Sequence, residues 1–235
     1  MRLTLVGHDT VLIEAAGRRI LTDPWFGRWG NLAYRRVQPP AFEREALRGV
    51  DLVLLSHNHW DHVDTRFLRL LDPAVPVLAP AVSAWITRLK GGRNVVGLKP
   101  WEERRCGEVR IVATPAHHIA RTIGFVIEAD SRRLYFAGDT YYGRFMNRLG
   151  AAMRPDVALL PVTTYRIPMT MGETGAVRAV DALRPAVVVP IHLGLEPRSP
   201  LLRTSQSPER FRELVRAASL PVEVDILQPG HSREC

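Results

Sequence analysis

The chain has 235 residues, 46% hydrophobic and 24% charged, with a formal net charge of +8; that is ample for a buried core and unlike a disordered composition. No run of eighteen apolar residues occurs, and the N-terminus enters Arg2-Leu3-Thr4-Leu5-Val6 without an apolar signal core, so neither a membrane span nor a secretory leader is expected. Two cysteines, Cys106 and Cys235, are too few for a disulfide framework and fit a reducing, cytoplasmic setting.

Period-two apolar runs at Arg2–Val6, Val11–Glu14 and Arg18–Thr22 predict an antiparallel start with Ala16-Gly17 as a turn. The apolar run Asp51–Ser56 predicts a strand, and a helix is expected over Thr65–Leu71. Val75–Leu78 reads as a strand and Ala81–Lys90 as a helix. Glu108–Thr114, Ile123–Glu128 and Arg132–Ala137 read as strands, the last two joined by the hairpin-like Ala129-Asp130-Ser131. Then come a helix at Gly143–Leu149, a strand at Val157–Val162, a helix at Glu173–Leu183, a strand at Ala186–Ile191, a helix at Pro208–Ala218 and a closing strand at Val222–Leu227. Two batches of strands separated by helices predict two sheets back to back with helices outside, because that layering buries both faces of each sheet. Residues 1–235 read as a single domain without internal sequence repeat.

The positive charge raises the question of nucleic acid. Basic residues are almost all arginine, with lysine only at Lys90 and Lys99, and they are scattered in singles and pairs such as Arg18-Arg19, Arg35-Arg36, Arg104-Arg105 and Arg132-Arg133. That distribution reads as a surface bias with mild steering of anionic substrates. Cys106 reads as a core or strand-edge residue, since nothing beside it would activate a thiol.

The chemistry concentrates in His57-Asn58-His59-Trp60-Asp61-His62, which puts four ligand-type side chains in six residues at a predicted strand end. Imidazole and carboxylate together suit a borderline divalent ion such as zinc, iron or manganese, and one such loop can feed two ions. Downstream, Thr114-Pro115-Ala116-His117-His118, Phe136-Ala137-Gly138-Asp139-Thr140 and Val187-Val188-Val189-Pro190-Ile191-His192 each set a ligand-type residue after an apolar, β-branched run. Three of the eight histidines fall in the one six-residue window, which a solvated polar turn would not explain.

In these motifs the chain resembles the metallo-β-lactamase superfamily, whose His-x-His-x-Asp-His signature is met in full, with the later His, Asp and His present in order. Within it, Val6-Gly7-His8-Asp9-Thr10, Thr22-Asp23-Pro24-Trp25, Lys99-Pro100-Trp101-Glu102-Glu103 and Pro229-Gly230-His231-Ser232 look like the group of N-acylphosphatidylethanolamine phospholipase D and L-ascorbate-6-phosphate lactonase. The segments after Asp139 and after His192 depart from the phospholipase. The resemblance implies an α/β, four-layer αβ/βα sandwich. It also implies two divalent ions, zinc first with manganese or iron as alternatives: His57, His59 and His118 on one, Asp61, His62 and His192 on the other, and Asp139 bridging. His117 is the rival of His118, and neighbours on an extended chain point opposite ways, so one of the two is expected to coordinate.

A pair of ions so held implies hydrolysis by a metal-bridging hydroxide, with Asp61, His62 and Asp139 as catalytic residues and Asp61 orienting the nucleophile. Asp23 and Asp64 are candidate carboxylate partners of the imidazoles, or else turn and helix-cap residues. His8 and His231 are candidates for hydrogen bonding beneath the site or for substrate contact. Trp60, Tyr141, Tyr165 and Arg166 are the expected substrate contacts, with Trp25, Trp29 and Tyr142 as further aromatic candidates and Arg121 and Arg203 as surface residues or anion clamps. The Pro-rich segment 196–205 is long enough for a substrate flap, or else is an ordinary surface connection or an oligomer contact. The expected substrate is a small, anionic ester, lactone or phosphoester. The alternatives are a metal-dependent nuclease and a diiron redox or oxygen-using enzyme on the same fold. The sequence leaves a homo-oligomer open.

Overall fold

The computed structural model describes residues 1–235. Strands β1 (Arg2–Gly7), β2 (Thr10–Ala15) and β3 (Arg18–Thr22) form the antiparallel start. After β4 (Tyr34–Arg36), β5 (Leu52–Leu54) runs parallel to β3. Helix α1 (Thr65–Leu70), β6 (Pro76–Pro80), α2 (Ala84–Leu89) and β7 (Asn94–Leu98) complete the first half. The second half repeats the plan: β8 (Glu103–Cys106), β9 (Val109–Pro115), β10 (Ile123–Ala129) and β11 (Arg132–Phe136) run antiparallel. Then α3 (Phe145–Met153), β12 (Val157–Pro161), α4 (Gly172–Leu183), β13 (Val187–Ile191), β14 (Leu195–Pro197), α5 (Pro208–Ala217), β15 (Glu223–Val224) and β16 (Ser232–Glu234) complete the chain.

The strands make two seven-stranded sheets, ordered β16-β1-β2-β3-β5-β6-β7 and β15-β13-β12-β11-β10-β9-β8, with β4 and β14 as a separate two-stranded ribbon. Strand periodicity sorts the side chains into layers. On β10, Phe125 and Ile127 join a 25-residue cluster that also holds Ile13, Ile20 and Leu54 of the other sheet, so it fills the space between the sheets. Val126, between them in sequence, packs with Met146 of α3 and Ala176 of α4 in an outer layer. The first sheet covers its own outer face in the same way, Val53 and Val77 packing with Phe67 of α1 and Ala84 of α2. The expected αβ/βα sandwich is the architecture observed. No helix is long and apolar enough to cross a membrane.

Several boundaries differ from expectation. Ala81–Lys90 divides into a 3-10 turn at Ala81–Ser83 and α2. Helix α3 begins later than Gly143 and runs past Gly150, whose lack of a side chain lets the helix lie against α4: a Cβ there would collide with the Ala182 carbonyl oxygen. Of Val222–Leu227 only Glu223–Val224 pairs, with β13. β4, β7, β8, β14 and β16 were not expected.

Candidate metal centre

Each ligand-type residue comes after the carboxyl end of a strand. The His57–His62 loop leaves β5, His118 follows β9, Asp139 follows β11, His192 follows β13, and His8, Asp9 and Asp23 follow β1 and β3. Carboxyl-end crevices are the usual place for ligand sites in such sheets. The two sheets meet there: the Ile123 amide donates to the Ser56 carbonyl at 3.1 Å. Gly138, at φ +56°, lets the end of β11 abut Ser56, since a Cβ would stand 2.6 Å from the Ser56 Cβ. His8, Asp23 and His192 also have positive φ (59°, 31° and 64°), unusual backbone for residues with side chains, of the kind that clusters at functional sites.

One carboxylate is the hub. Asp139 Oδ2 lies 3.9 Å from His57 Nε2, 3.5 Å from His62 Nε2 and 3.7 Å from His118 Nε2, and its Oδ1 lies 3.3 Å from His192 Nε2. His57, His59, His118 and Asp139 bring one ligand atom each within 4.8 Å of one another, as do His8, Asp61, His62 and His192. His57 Nε2, His62 Nε2, both ring nitrogens of His118 and Asp139 Oδ1 are buried without hydrogen-bond partners. Buried polar atoms rarely go unpaired, and lone pairs converging in this way fit a cation.

Hydrogen bonds set which nitrogen of each ring is free. His62 Nδ1 lies 2.7 Å from Asp23 Oδ2 and donates to it, which leaves Nε2 to face Asp61 and Asp139. Ser56 Oγ donates to the same Asp23 carboxylate at 2.5 Å and so accepts from His57 Nδ1 at 2.9 Å, freeing His57 Nε2 as well. Asp23 thus orients two imidazoles, one directly and one through Ser56. His8 is set the opposite way. The Gly194 amide donates to His8 Nδ1 at 3.1 Å, so the ring proton sits on Nε2, which faces Asp61 Oδ2 at 3.6 Å. That tautomer offers Asp61 a proton and no lone pair to a cation.

Electrostatics divides the centre. Burial holds His57 well below the usual imidazole range and His118 down to about 4, against the opposing pull of Asp139. Burial also pushes His8 down to about 3. At His192 burial is outweighed by Asp139 and Asp9, and the ring is pushed up to about 9. His62 is likewise raised well above its ordinary value, burial being outweighed by Asp139, Asp61 and Asp23.

The other candidates fall into place plainly. His117 is exposed, its ring edge-on to Phe145 at 5.1 Å, and it takes no part in the cluster. Asp64 caps α1, accepting from the Arg66 and Phe67 amides, and pairs with Arg44; it touches no imidazole. His231 is exposed and contributes its backbone to the β1 edge. A cavity of about 230 Å³ reaches His59, Asp61, Asp139 and His192 between walls that include Tyr34, Trp60 and Tyr165. Tyr141 and Arg166 are not in its lining: the Tyr141 hydroxyl donates to the Pro168 carbonyl, and the Arg166 side chain is exposed. Trp25 is buried against His8 and Trp60 with Arg36 over its ring, whereas Trp29 is exposed. Tyr142 lies under the Arg178 guanidinium, Arg121 is exposed, and Arg203 pairs with Glu196. Segment 196–205 begins in the β4–β14 ribbon, tied by an Arg35–Glu196 ion pair. Sequence reading missed Tyr34 and Asp9. Tyr34 belongs to a three-residue strand of the separate β4–β14 ribbon; the signal for Asp9 was a lone acid between two apolar strands, easily taken for a turn.

Comparison with known proteins agrees with this geometry. The family model described as "Beta-lactamase superfamily domain" matches residues 18–193. A "UPF0173 metal-dependent hydrolase" of Aeropyrum pernix is 32% identical over 99% of this chain and 97% of its own. The chain therefore belongs to the beta-lactamase superfamily, among its metal-dependent hydrolases. Among solved structures, Igni18, a metallo hydrolase from Ignicoccus hospitalis, is 26% identical with a TM-score of 0.80, covering 99% of this chain and 97% of its own. An isothiocyanate hydrolase from Delia radicum gut bacteria, 21% identical, shares the fold with a TM-score of 0.83 over 100% of this chain and 99% of its own.

Proposed function

We propose that residues 1–235 form one domain, a cytoplasmic binuclear hydrolase of a small ester, lactone or phosphoester. In this reading His57, His59 and His118 hold one divalent ion, Asp61, His62 and His192 hold a second, and Asp139 serves both. The observation that carries it is the Asp139 carboxylate with ring nitrogens of four histidines within 4.0 Å, several of them buried and unpartnered. Mixed imidazole and carboxylate donors favour zinc, with manganese or iron as alternatives. Once bound, such a pair supplies hydroxide at neutral pH and Lewis acidity toward a carbonyl or phosphoryl oxygen.

The protein's own groups do the rest. Asp23 and Ser56 hold the His62 and His57 rings with Nε2 inward. His8, donating from Nε2 toward Asp61, keeps that carboxylate aimed at the cavity and able to orient the nucleophile. The cavity of about 230 Å³ is below the ordinary range for drug-sized ligands, which supports a small substrate. Tyr34, Trp60 and Tyr165 give it an aromatic wall, and its lining carries no lysine or arginine, so the ions would supply the positive charge that an anionic substrate needs. The motif likeness to the phospholipase and lactonase group supports carbonyl or phosphoryl ester chemistry.

The test is elemental analysis of protein purified without added metal, followed by a panel of lactones, phosphodiesters and phosphomonoesters before and after chelation. Two ions per chain and chelator-sensitive hydrolysis, restored by zinc, manganese or iron, are expected. Metal-free folded protein or chelator-resistant turnover would overturn the reading, and strong cleavage of RNA or DNA would move it to a nuclease.

A further inference from the structure

We propose that Asp9 is an additional carboxylate of the metal centre, on the side of the second ion, and that it sets the affinity of that ion. Asp9 lies between β1 and β2, where an aspartate ordinarily faces solvent and bonds to nearby backbone amides. Here its side chain is fully buried and neither carboxylate oxygen has a hydrogen-bond donor. The Asp9 carbonyl accepts from Thr22 Oγ1 at 2.7 Å, which fixes the main chain between the first strands.

The surroundings of the carboxylate are those of the centre. Asp9 Oδ2 lies 3.6 Å from His62 Nδ1 and 3.9 Å from His8 Nε2, its only charge partners within 4.0 Å. Asp9, His62, Asp139 and His192 present one ligand atom each within 4.8 Å of one another. The nearby protons are committed elsewhere: His62 Nδ1 to Asp23 at 2.7 Å, and His8 Nε2 nearer to Asp61, at 3.6 Å, than to Asp9. An ionised carboxylate buried without donors is among the costliest groups a protein can hold, and a bound cation removes that cost.

The buried carboxylates of the centre are Asp9, Asp23, Asp61 and Asp139, and a carboxylate close to a divalent ion attracts it strongly where water is scarce.

The inference rests on the two-ion reading, and its test separates the two. Wild type, Asp9→Asn and Asp9→Ala are titrated with zinc by calorimetry, and apo and zinc-loaded forms of each are melted. The first ion should bind as in wild type while the second weakens about tenfold or more, the scale seen when a supporting group of a metal site is lost. Zinc should raise the Tm of the variants by less than it raises that of wild type. Variants that bind two ions with wild-type affinity, that melt lower in the apo form with an unchanged zinc-induced rise, or that fail to fold with or without zinc would make Asp9 a structural turn residue and overturn the proposal. Fewer than two ions on wild type itself would refute the two-ion reading, and this inference with it.

Discussion

The two corners of the centre use the same side-chain types in opposite settings. At His57, His59 and His118 burial dominates and lowers the rings below the ordinary imidazole value, His57 well below it and His118 down to about 4. At His62 and His192, carboxylates outweigh burial, and His192 is pushed up to about 9. The difference lies in how acids are distributed around equivalent histidines: Asp9, Asp23 and Asp61 all border His62, whereas His57 meets Asp23 only through Ser56. In the proposed centre the first corner offers lone pairs ready-made, and the second must give up protons to take its ion.

Asp139 is the one residue common to both corners, so its loss should have the largest effect. In Asp139→Ala both ions should be lost, and hydrolysis of the best small substrate should fall on the order of a thousandfold or more, the scale for removing one key electrostatic stabiliser. Elemental analysis of the variant checks it; two ions still bound would show that the corners do not share this carboxylate.

Acidification should pull the corners apart. The metal-free His192 ring, raised above its ordinary value to about 9, holds a proton at every pH below that value, and the second ion must displace it. Affinity of the second ion should therefore rise with pH up to about 9 and fall about tenfold per unit below it, for each proton displaced. His118, lowered to about 4, is already deprotonated from pH 5 upward, so the first ion should be held with little change across the same window. Metal content after dialysis at pH 5, 6, 7 and 8 should pass from one ion to two. Loss of both ions together would remove the contrast.

Much of this centre was legible in the chain because strand ends announce themselves: an apolar run stops and a histidine or aspartate comes next. That pattern located the His57–His62 loop, His118, Asp139 and His192, and apolar runs such as Phe125-Val126-Ile127 marked the buried strands. The edges of the sheets were not legible. β8 is Glu103-Arg104-Arg105-Cys106, largely exposed, and β16 is Ser232-Arg233-Glu234; charged edge strands avoid the alternation that marks a buried strand. Nor can a sequence show that a fully buried Asp9 lacks donors or that Gly194 fixes the His8 tautomer, since both depend on contacts between distant segments.

Asp23 and Asp64 bear on the same question, as the sequence offered either as a partner of the imidazoles. Asp23→Asn keeps the size of the side chain but removes the charge that meets His62 Nδ1 and Ser56 Oγ. Its second-ion affinity should drop about 10- to 100-fold, with a smaller loss at the first ion because His57 is held only through Ser56. Equal losses at both ions, read by zinc calorimetry, would show that Asp23 supports the whole loop and neither ring in particular.

Asp64 should give the smallest effect, and that smallness is informative. It stands two residues beyond His62, yet its Oδ1 accepts from the Arg66 and Phe67 amides at 2.8 and 3.0 Å and its Oδ2 receives Arg44 at 2.9 Å. Its carboxylate is spent on the first turn of α1 and on Arg44. Asp64→Ala should lower stability by about 1 kcal/mol, the usual loss for an N-cap, seen as a modest fall in Tm, while metal content and turnover stay at wild-type values. A fall in metal content without a fall in stability would mean that the cap holds the loop at His62 in place, and the second corner would then depend on α1 as well as on its ring of carboxylates.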